Sequence, residues 1–227
     1  MDGAVAIVLA AGRGERMDSP IPKALMPFDG ATVVARAVER AAAAASVTGV
    51  IVVAPPGFED RMKEAVEGLG VDEVLSGGET RQASVRAGLS AVALGVQRIL
   101  CHDAARPLAS SRLFERALEA LQGWDGVVPV LRVIDTVKRV QDGRVEGTEP
   151  RDALALAQTP QVFRAAALRD AHQRAAADGF EGSDDALLLE RADYRVRAIE
   201  GERIRIDQQL VPVKAMAGVR RPWTVRA

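Results

Sequence analysis

The sequence predicts an α/β protein with a mostly parallel sheet and helices on both faces. Three observations predict it. Short runs rich in Val, Ile and Leu recur without polar–apolar alternation, as in strands buried on both sides. Helical patterns separate successive runs, which calls for crossover connections and parallel pairing. The rhythm then breaks after residue 133, where a polar, hairpin-like segment begins.

In chain order, AVAIVLA (4–10) is the first expected strand, and ATVVARAVERAAAAA (31–45) the first long helical pattern. VTGVIVVA (47–54), VDEVL (71–75), QRILC (97–101) and DGVVPVLRV (125–133) continue the strands. FEDRMKEAVEGL (58–69), TRQASVRAGLSAVAL (80–94) and SSRLFERALEALQ (110–122) supply the helices between them. DTVKRVQDGRVEGTEPR (135–151) reads as two β-prone runs around a turn at Asp142 and Gly143. Because it interrupts an α/β pattern, it is expected to protrude as an arm. A strand at 158–163, helices near 165–177 and 184–191, and late strands at 194–200 and 203–207 follow; the last 15 residues give no clear pattern.

A chain of 227 residues suits one large domain, and the whole of 1–227 is taken as one. Apolar residues at 48% and charged residues at 27% are ordinary for a soluble globular protein. A formal charge of −1 gives no overall basic footprint for nucleic acid, so any anion must be drawn in locally. The single cysteine, Cys101, excludes an intrachain disulfide and a thiolate zinc site. No apolar run is long enough to span a membrane, and Arg13 and Arg16 follow the first apolar run instead of preceding it, the wrong order for a secretory signal. A cytoplasmic protein without membrane or nucleic-acid partners is expected.

In a parallel sheet, ligands sit beyond the carboxyl ends of the strands, so the segments after each strand are the candidate site. After the first strand comes AAGRGERM, in which Gly12 and Gly14 permit sharp turns and close backbone approach to a ligand. Met17 stands where a dinucleotide fingerprint needs its third glycine, and the P-loop pattern is absent. Pro20 and Pro22 keep the segment extended, so Arg13, Arg16 and Lys23 can wrap a polyanion. After the third strand, Gly77 and Gly78 form a second tight turn, Thr80 is a helix N-cap and Ser84 lies one turn in. After the fourth, Asp103 is placed for a ribose or a magnesium ion, and Arg106 for the substrate or for an ion pair with Asp103. His102 reads as structural, Cys101 as a small buried residue and His172 as a surface residue, which leaves no histidine suited to catalysis.

LAAGRGERM with PKAL, then GGETRQASV, HDAARP, DTVK and QTPQVF, in that order, resembles the 2-C-methyl-D-erythritol 4-phosphate cytidylyltransferase family over about residues 4–207. The opening motif is common to many sugar nucleotidyltransferases; the later segments together are far more specific. The resemblance implies a Rossmann-like fold with a β-arm, at about 135–158, that builds a homodimer. It implies transfer of CMP from CTP to 2-C-methyl-D-erythritol 4-phosphate, with magnesium required. By resemblance, Ala10, Ala11 and Gly12 match backbone contacts to the nucleotide, and Gly14 shares that loop. Arg16 and Lys23 match the triphosphate and transition-state cations. Gly78, Glu79 and Ser84 match positions that recognise cytosine, and Asp103 the acid beside ribose and metal. Thr136 and Arg151 match arm residues that hold the acceptor phosphate from the partner subunit, and Ser183 a usual threonine near the substrate.

Three features depart from the family pattern. Leu9 stands where many members have proline, Arg205 where the family has a catalytic-site lysine, and Asp207 where it has threonine. Arginine keeps the charge but is planar and forked, so it is not neutral at a crowded phosphate. The competing readings are a cytidylyltransferase for another polyol phosphate such as ribitol 5-phosphate, a catalytically impaired nucleotide-binding relative, and an NAD-dependent oxidoreductase.

Overall fold

The structure, a computed structural model, describes residues 3–12 and 21–203. Its elements follow the expected alternation. They are β1 (Ala4–Leu9), β2 (Pro27–Phe28), β3 (Ala31–Thr32), α1 (Val33–Ala42), β4 (Val47–Ala54), α2 (Glu59–Ala65), β5 (Glu73–Ser76), α3 (Arg81–Ala91), β6 (Arg98–Asp103) and α4 (Ser111–Glu119). β7 (Gly126–Arg132), β8 (Val137–Gln141), β9 (Arg144–Glu149), β10 (Ala155–Ala157), β11 (Gln161–Arg164), α5 (Ala165–Ala177), α6 (Asp185–Arg191) and β12 (Val196–Glu200) complete them.

The main sheet has eight strands in the order β10-β7-β11-β6-β1-β4-β5, with β12 also pairing β7. β1 runs parallel to β4 and β6, β4 to β5, and β7 to β12; β11 and β10 are antiparallel insertions. The expected mostly parallel, mixed sheet is therefore found.

Non-alternating apolar runs form central strands because both faces are covered. In β1, Ala6 and Val8 join one core with Val34 and Val38 of α1, Met62 of α2 and Phe114 of α4. Ile7 and Leu9, one residue out of phase, join the other with Val85 and Leu89 of α3, Leu168 of α5 and Leu188 of α6.

Side-chain caps set four helix starts. Thr32, Thr80, Ser110 and Asp184 accept from the backbone N–H of Ala35, Ala83, Leu113 and Leu187 at 3.2, 3.1, 3.1 and 3.0 Å. Each such cap contributes about 1 kcal/mol. The helix expected from residue 31 begins at Val33, because Ala31 and Thr32 pair with Phe28 and Pro27. The strand expected at 71–75 begins at Glu73. Asp72 instead receives the Val50 N–H on its carboxylate at 2.8 Å, while its own N–H donates to the Val50 carbonyl at 2.8 Å.

The hairpin turns as expected at Asp142 (φ 47°) and Gly143 (φ 78°), the left-handed pair that a two-residue hairpin needs. Its strands pair with each other and form a sheet of their own, leaving Val140 and Val145 more than half exposed. His172, expected at the surface, is buried. It lies four residues after Leu168 and three before Ala175 on the inward stripe of α5, and helical phase outweighs its polarity.

His102 is fully buried on β6, its ring 4.9 Å from that of Phe114. Burial pushes its pKa down to about 4. A group depressed on folding stabilises fully above its unfolded value, and that contribution is lost as pH falls toward the folded value. Chemical denaturation from pH 7 to pH 4 is therefore expected to show the stability advantage of wild type over His102→Gln shrinking by about 3 kcal/mol. A difference independent of pH would contradict a neutral, sealed imidazole.

Candidate active site

The carboxyl ends of β1, β5 and β6 meet at one cleft of about 560 Å³, a size suited to a small-molecule site. The loop after β1 contributes Ala11 and Gly12, the turn after β5 contributes Gly78, Glu79, Thr80 and Ser84, and the end of β6 contributes Asp103 and Ala105. Backbone bonds continue past the strand ends and fix these loops to one another. Ala10 N–H donates to Val53 O at 2.8 Å, Gly77 N–H to Ala54 O at 2.8 Å, and Ala104 N–H to Leu9 O at 3.0 Å.

Close approach explains the glycine pair. A Cβ on Gly77 would sit 2.6 Å from the Ala11 Cβ and 2.8 Å from the Ser84 hydroxyl, and one on Gly78 would sit 2.5 Å from the Ala83 Cβ. Ser84 is buried and holds the turn closed: its hydroxyl donates to Thr80 O at 2.9 Å and accepts from Gly78 N–H at 3.2 Å. The glycine turn is therefore tied to the first turn of α3 by a side chain from that helix.

Asp103 is held on two sides. Its N–H donates to Thr159 Oγ1 at 3.0 Å, and that oxygen lies 3.1 Å from His102 Nδ1. Its carboxylate oxygen Oδ1 accepts from Arg81 Nε at 3.2 Å. Arg81 Nη1 donates to Asp185 Oδ2 at 2.9 Å, and Asp185 Oδ1 lies 3.0 Å from His172 Nε2. Burial works against the Arg81 charge, but the Asp185 and Asp103 carboxylates outweigh it and raise its pKa. Burial likewise works against the Asp185 carboxylate, which the His172 hydrogen bond and the Arg81 charge hold below the usual range. Cys101 is buried and its thiol is pushed well up, first by burial and then by Asp185.

The structure thus brings Ala11, Gly12, Gly78, Glu79, Ser84 and Asp103 together, six residues drawn from three distant segments. Ala10 is buried directly behind them. The other candidates among the described residues are not part of the cleft lining. Lys23 is half-buried in a short 3-10 turn at Lys23–Leu25, whose Ala24 and Leu25 enter the core. The Arg106 side chain does not pair with the Asp103 carboxylate, although the Arg106 backbone N–H donates to Asp103 O at 2.9 Å. Its Nη2 donates to Ala157 O at 3.4 Å, and Arg81, the first residue of α3, takes the carboxylate instead. Thr136 and Arg151 are exposed on the arm, where Arg151 Nη1 donates to Ile134 O at 2.7 Å and its side chain lines a separate cavity with Arg132 and Asp152. Ser183 is exposed just before the N-cap of α6. Arg13, Gly14, Arg16, Arg205 and Asp207 lie outside the described residues.

The sequence reading missed Arg81, Thr159, Asp185 and His172 as site-building residues. Arg81 was visible as the fifth residue of GGETR, next to the cap, but its two partners are 22 and 104 residues away.

The family model for 2-C-methyl-D-erythritol 4-phosphate cytidylyltransferase matches residues 4–210. The bifunctional enzyme IspD/IspF of Nitrobacter hamburgensis is 44% identical over 200 residues, covering 87% of this chain and 50% of that protein. That of Clavibacter michiganensis subsp. michiganensis is 43% identical over 205 residues, covering 87% and 49%. The chain spans about half the length of these curated relatives. Among solved structures, 2-C-methyl-D-erythritol 4-phosphate cytidylyltransferase from Thermus thermophilus is similar with a TM-score of 0.75 and 38% identity, covering 96% of this chain and 100% of that one. The 4-diphosphocytidyl-2C-methyl-D-erythritol synthase from Anaerococcus prevotii has a TM-score of 0.80 and 27% identity, covering 95% and 96%.

The crowding at the glycine turn sets an expected outcome. Gly77→Ala destabilises by about 1–3 kcal/mol through overpacking. Gly95→Ala, at a position with open space around it, stays within about 0.5 kcal/mol of wild type. Urea denaturation of the two variants checks this, and equal stability would refute the packing role of Gly77.

Proposed function

The chain belongs to the 2-C-methyl-D-erythritol 4-phosphate cytidylyltransferase family, and from that premise we propose that it transfers the CMP group of CTP to 2-C-methyl-D-erythritol 4-phosphate, releasing pyrophosphate. One observation carries the reading. The nucleotide positions implied by family resemblance, Ala11, Gly12, Gly78, Glu79, Ser84 and Asp103, share a single cleft although up to 92 positions separate them in sequence.

In this reading the acceptor phosphate attacks the α-phosphorus of CTP. Both reactants are anionic, so repulsion is the first barrier. A phosphate monoester is largely dianionic at neutral pH, so no general base is needed. The protein's contribution is orientation and charge neutralisation. The glycine turn and the Ser84 hydroxyl hold the base-reading segment in shape. Asp103 serves the ribose or a metal ion. Arg16, Lys23 and Arg205 are the proposed cations, worth most if they contact the transition state more strongly than the ground state.

Magnesium fits this donor set as an ion that arrives with the nucleotide. Asp103 and Glu79 are the carboxylates lining the cleft, and no group of three or more His, Cys, Asp or Glu gathers for an ion among the described residues. Magnesium is commonly held by one or two carboxylates together with phosphate oxygens and water. Held there by Asp103 and Glu79, it would supply positive charge against the nucleotide phosphates and the leaving pyrophosphate. A homodimer is part of the proposal, with Thr136 and Arg151 of the arm holding the acceptor phosphate in the partner's cleft. The exposed Val140, Val145 and Ile134 support an arm that is covered in the working protein. A cytoplasmic setting completes the reading; among the described residues no helix is long and apolar enough to cross a membrane.

A pyrophosphate-release assay with each of the four nucleoside triphosphates, with 2-C-methyl-D-erythritol 4-phosphate and ribitol 5-phosphate as acceptors and with and without magnesium, tests the function. Magnesium-dependent release with CTP and the methylerythritol acceptor is expected. Faster release with ribitol 5-phosphate would reassign the acceptor, and none with either would sink the proposal. Lys23→Ala is expected to keep its fold and lose on the order of 10²–10³ in rate, as when an oxyanion donor is lost. If the arm acts in trans, inactive Lys23→Ala and Arg151→Ala chains recover activity when mixed under conditions of proven subunit exchange.

A further inference from the structure

We propose that Arg81 is a positioning residue: anchored from behind by Asp185 and His172, its guanidinium fixes the place and the residual charge of the Asp103 carboxylate in the cleft. This assignment rests on the function proposed above and adds to it a way of setting the geometry of the one acid at the end of β6.

Four side chains from four elements form an unbroken chain of contacts. His172 of α5 and Asp185 of α6 are almost fully buried and meet at 3.0 Å. Asp185 meets Arg81 of α3 at 2.9 Å, and Arg81 meets Asp103 of β6 at 3.2 Å. Arg81 and Asp103 line the cleft, and Asp185 and His172 do not. The chain therefore runs from the packed helices on one face of the sheet to the ligand side of the strand ends.

The guanidinium is divided along it. One guanidinium is shared between two carboxylates, so it does not pair with Asp103 alone, and the cleft end is the end where a carboxylate can meet a ligand. Without Asp185, Arg81 would be free to turn its whole fork onto Asp103 and neutralise it. Asp185 divides the guanidinium, giving Nη1 to the anchor and only Nε to Asp103. Asp103 keeps Oδ2 with no hydrogen bond among the described residues, and its backbone is pinned separately by Thr159. Lysine could not do this, because a single ammonium cannot present two fixed donor directions to two acids on opposite sides.

Stability alone does not account for the arrangement. Arg81 Nη2 and His172 Nδ1 are buried with no hydrogen-bond partner among the described residues. Orphaned buried polar groups are costly. A cluster selected only for folding would replace such charges with apolar packing.

The test is a double-mutant cycle on the full chain, with kcat, KM for CTP and calorimetric CTP affinity measured for wild type, Arg81→Lys, Asp103→Asn and the double variant. Circular dichroism and gel filtration establish folding. Arg81→Lys is expected to lower kcat/KM by about 10–100-fold, the usual effect of losing a group that orients a ligand-binding side chain. In the Asp103→Asn background the same change is expected to cost less than about threefold, because residues that act through one another are not additive. Equal factors in both backgrounds, or Arg81→Lys within about twofold of wild type, overturn the assignment. If Arg81→Lys does not fold, His172→Gln probes the chain from its far end under the same criterion: a loss that vanishes in the Asp103→Asn background supports it, and an equal loss in both overturns it. If the wild-type chain releases no pyrophosphate, the proposed function fails by itself, and the cycle is then read on CTP affinity with the same criteria.

Discussion

A single guanidinium shared between a buried and a cleft-side carboxylate is the constraint around which this site is arranged. Arg81 belongs to α3, Asp103 to β6 and Asp185 to α6, so the shared charge ties together three elements that the chain reaches at widely separated points. Removing Arg81 would strand the buried Asp185 carboxylate, where the penalty is larger than the attraction that was lost. The glycine turn beside Arg81 inherits that rigidity. Thr80 caps the helix whose first residue is Arg81, and Ser84 of the same helix grips Gly78. The position of one helix end thus sets both the turn and the acid.

The sheet makes this possible. Strands buried on both faces leave side chains no route to solvent except past the strand ends, and there three loops converge. Backbone hydrogen bonds and small residues bring them close, with Arg81 and Asp103 as the side-chain pair between them. Alanine at Gly77 would already meet Ala11. Small residues at the convergence keep the cleft open while the large apolar ones, Ile7, Phe114, Phe163 and Leu168, fill the two cores behind it. The arm is the exception, a hairpin that pairs only with itself and keeps apolar valines on its surface.

What was legible in the sequence was local. The order of strands and helices followed from runs of Val, Ile and Leu and from helical spacing. Thr80 as a cap, Ser84 one turn in, the Asp142–Gly143 turn, the burial of Cys101 and the structural rather than catalytic role of His102 all follow from a residue and its near neighbours. What was not legible was long-range pairing. Arg106 was a natural partner for Asp103 because it is three residues away, yet a tight turn after β6 carries its side chain to the Ala157 carbonyl instead. His172 looked like a solvated residue on an alanine-rich helix. Only its acceptor, 13 residues on in α6, explains why a polar ring sits on the buried stripe. A side chain whose partner lies across the fold leaves no trace in periodicity.

The two histidines of the chain also bear on the kind of chemistry the cleft can support. A general base must be able to take up a proton from a group within hydrogen-bond reach. His102 is one residue from Asp103, but its ring lies on the core side of β6 against Phe114, its Nδ1 is next to Thr159, and burial keeps it neutral down to about pH 4. Among the described residues, His172 has Asp185 as its hydrogen-bond partner. Cys101 is sealed in the core and its thiolate is disfavoured. With these groups held out of the cleft, the described residues leave only carboxylates there to accept a proton, and one of those, Asp103, already shares Arg81. In the function proposed here the nucleophile, a phosphate monoester, arrives already ionised, so those carboxylates are left to hold charges in place without moving a proton.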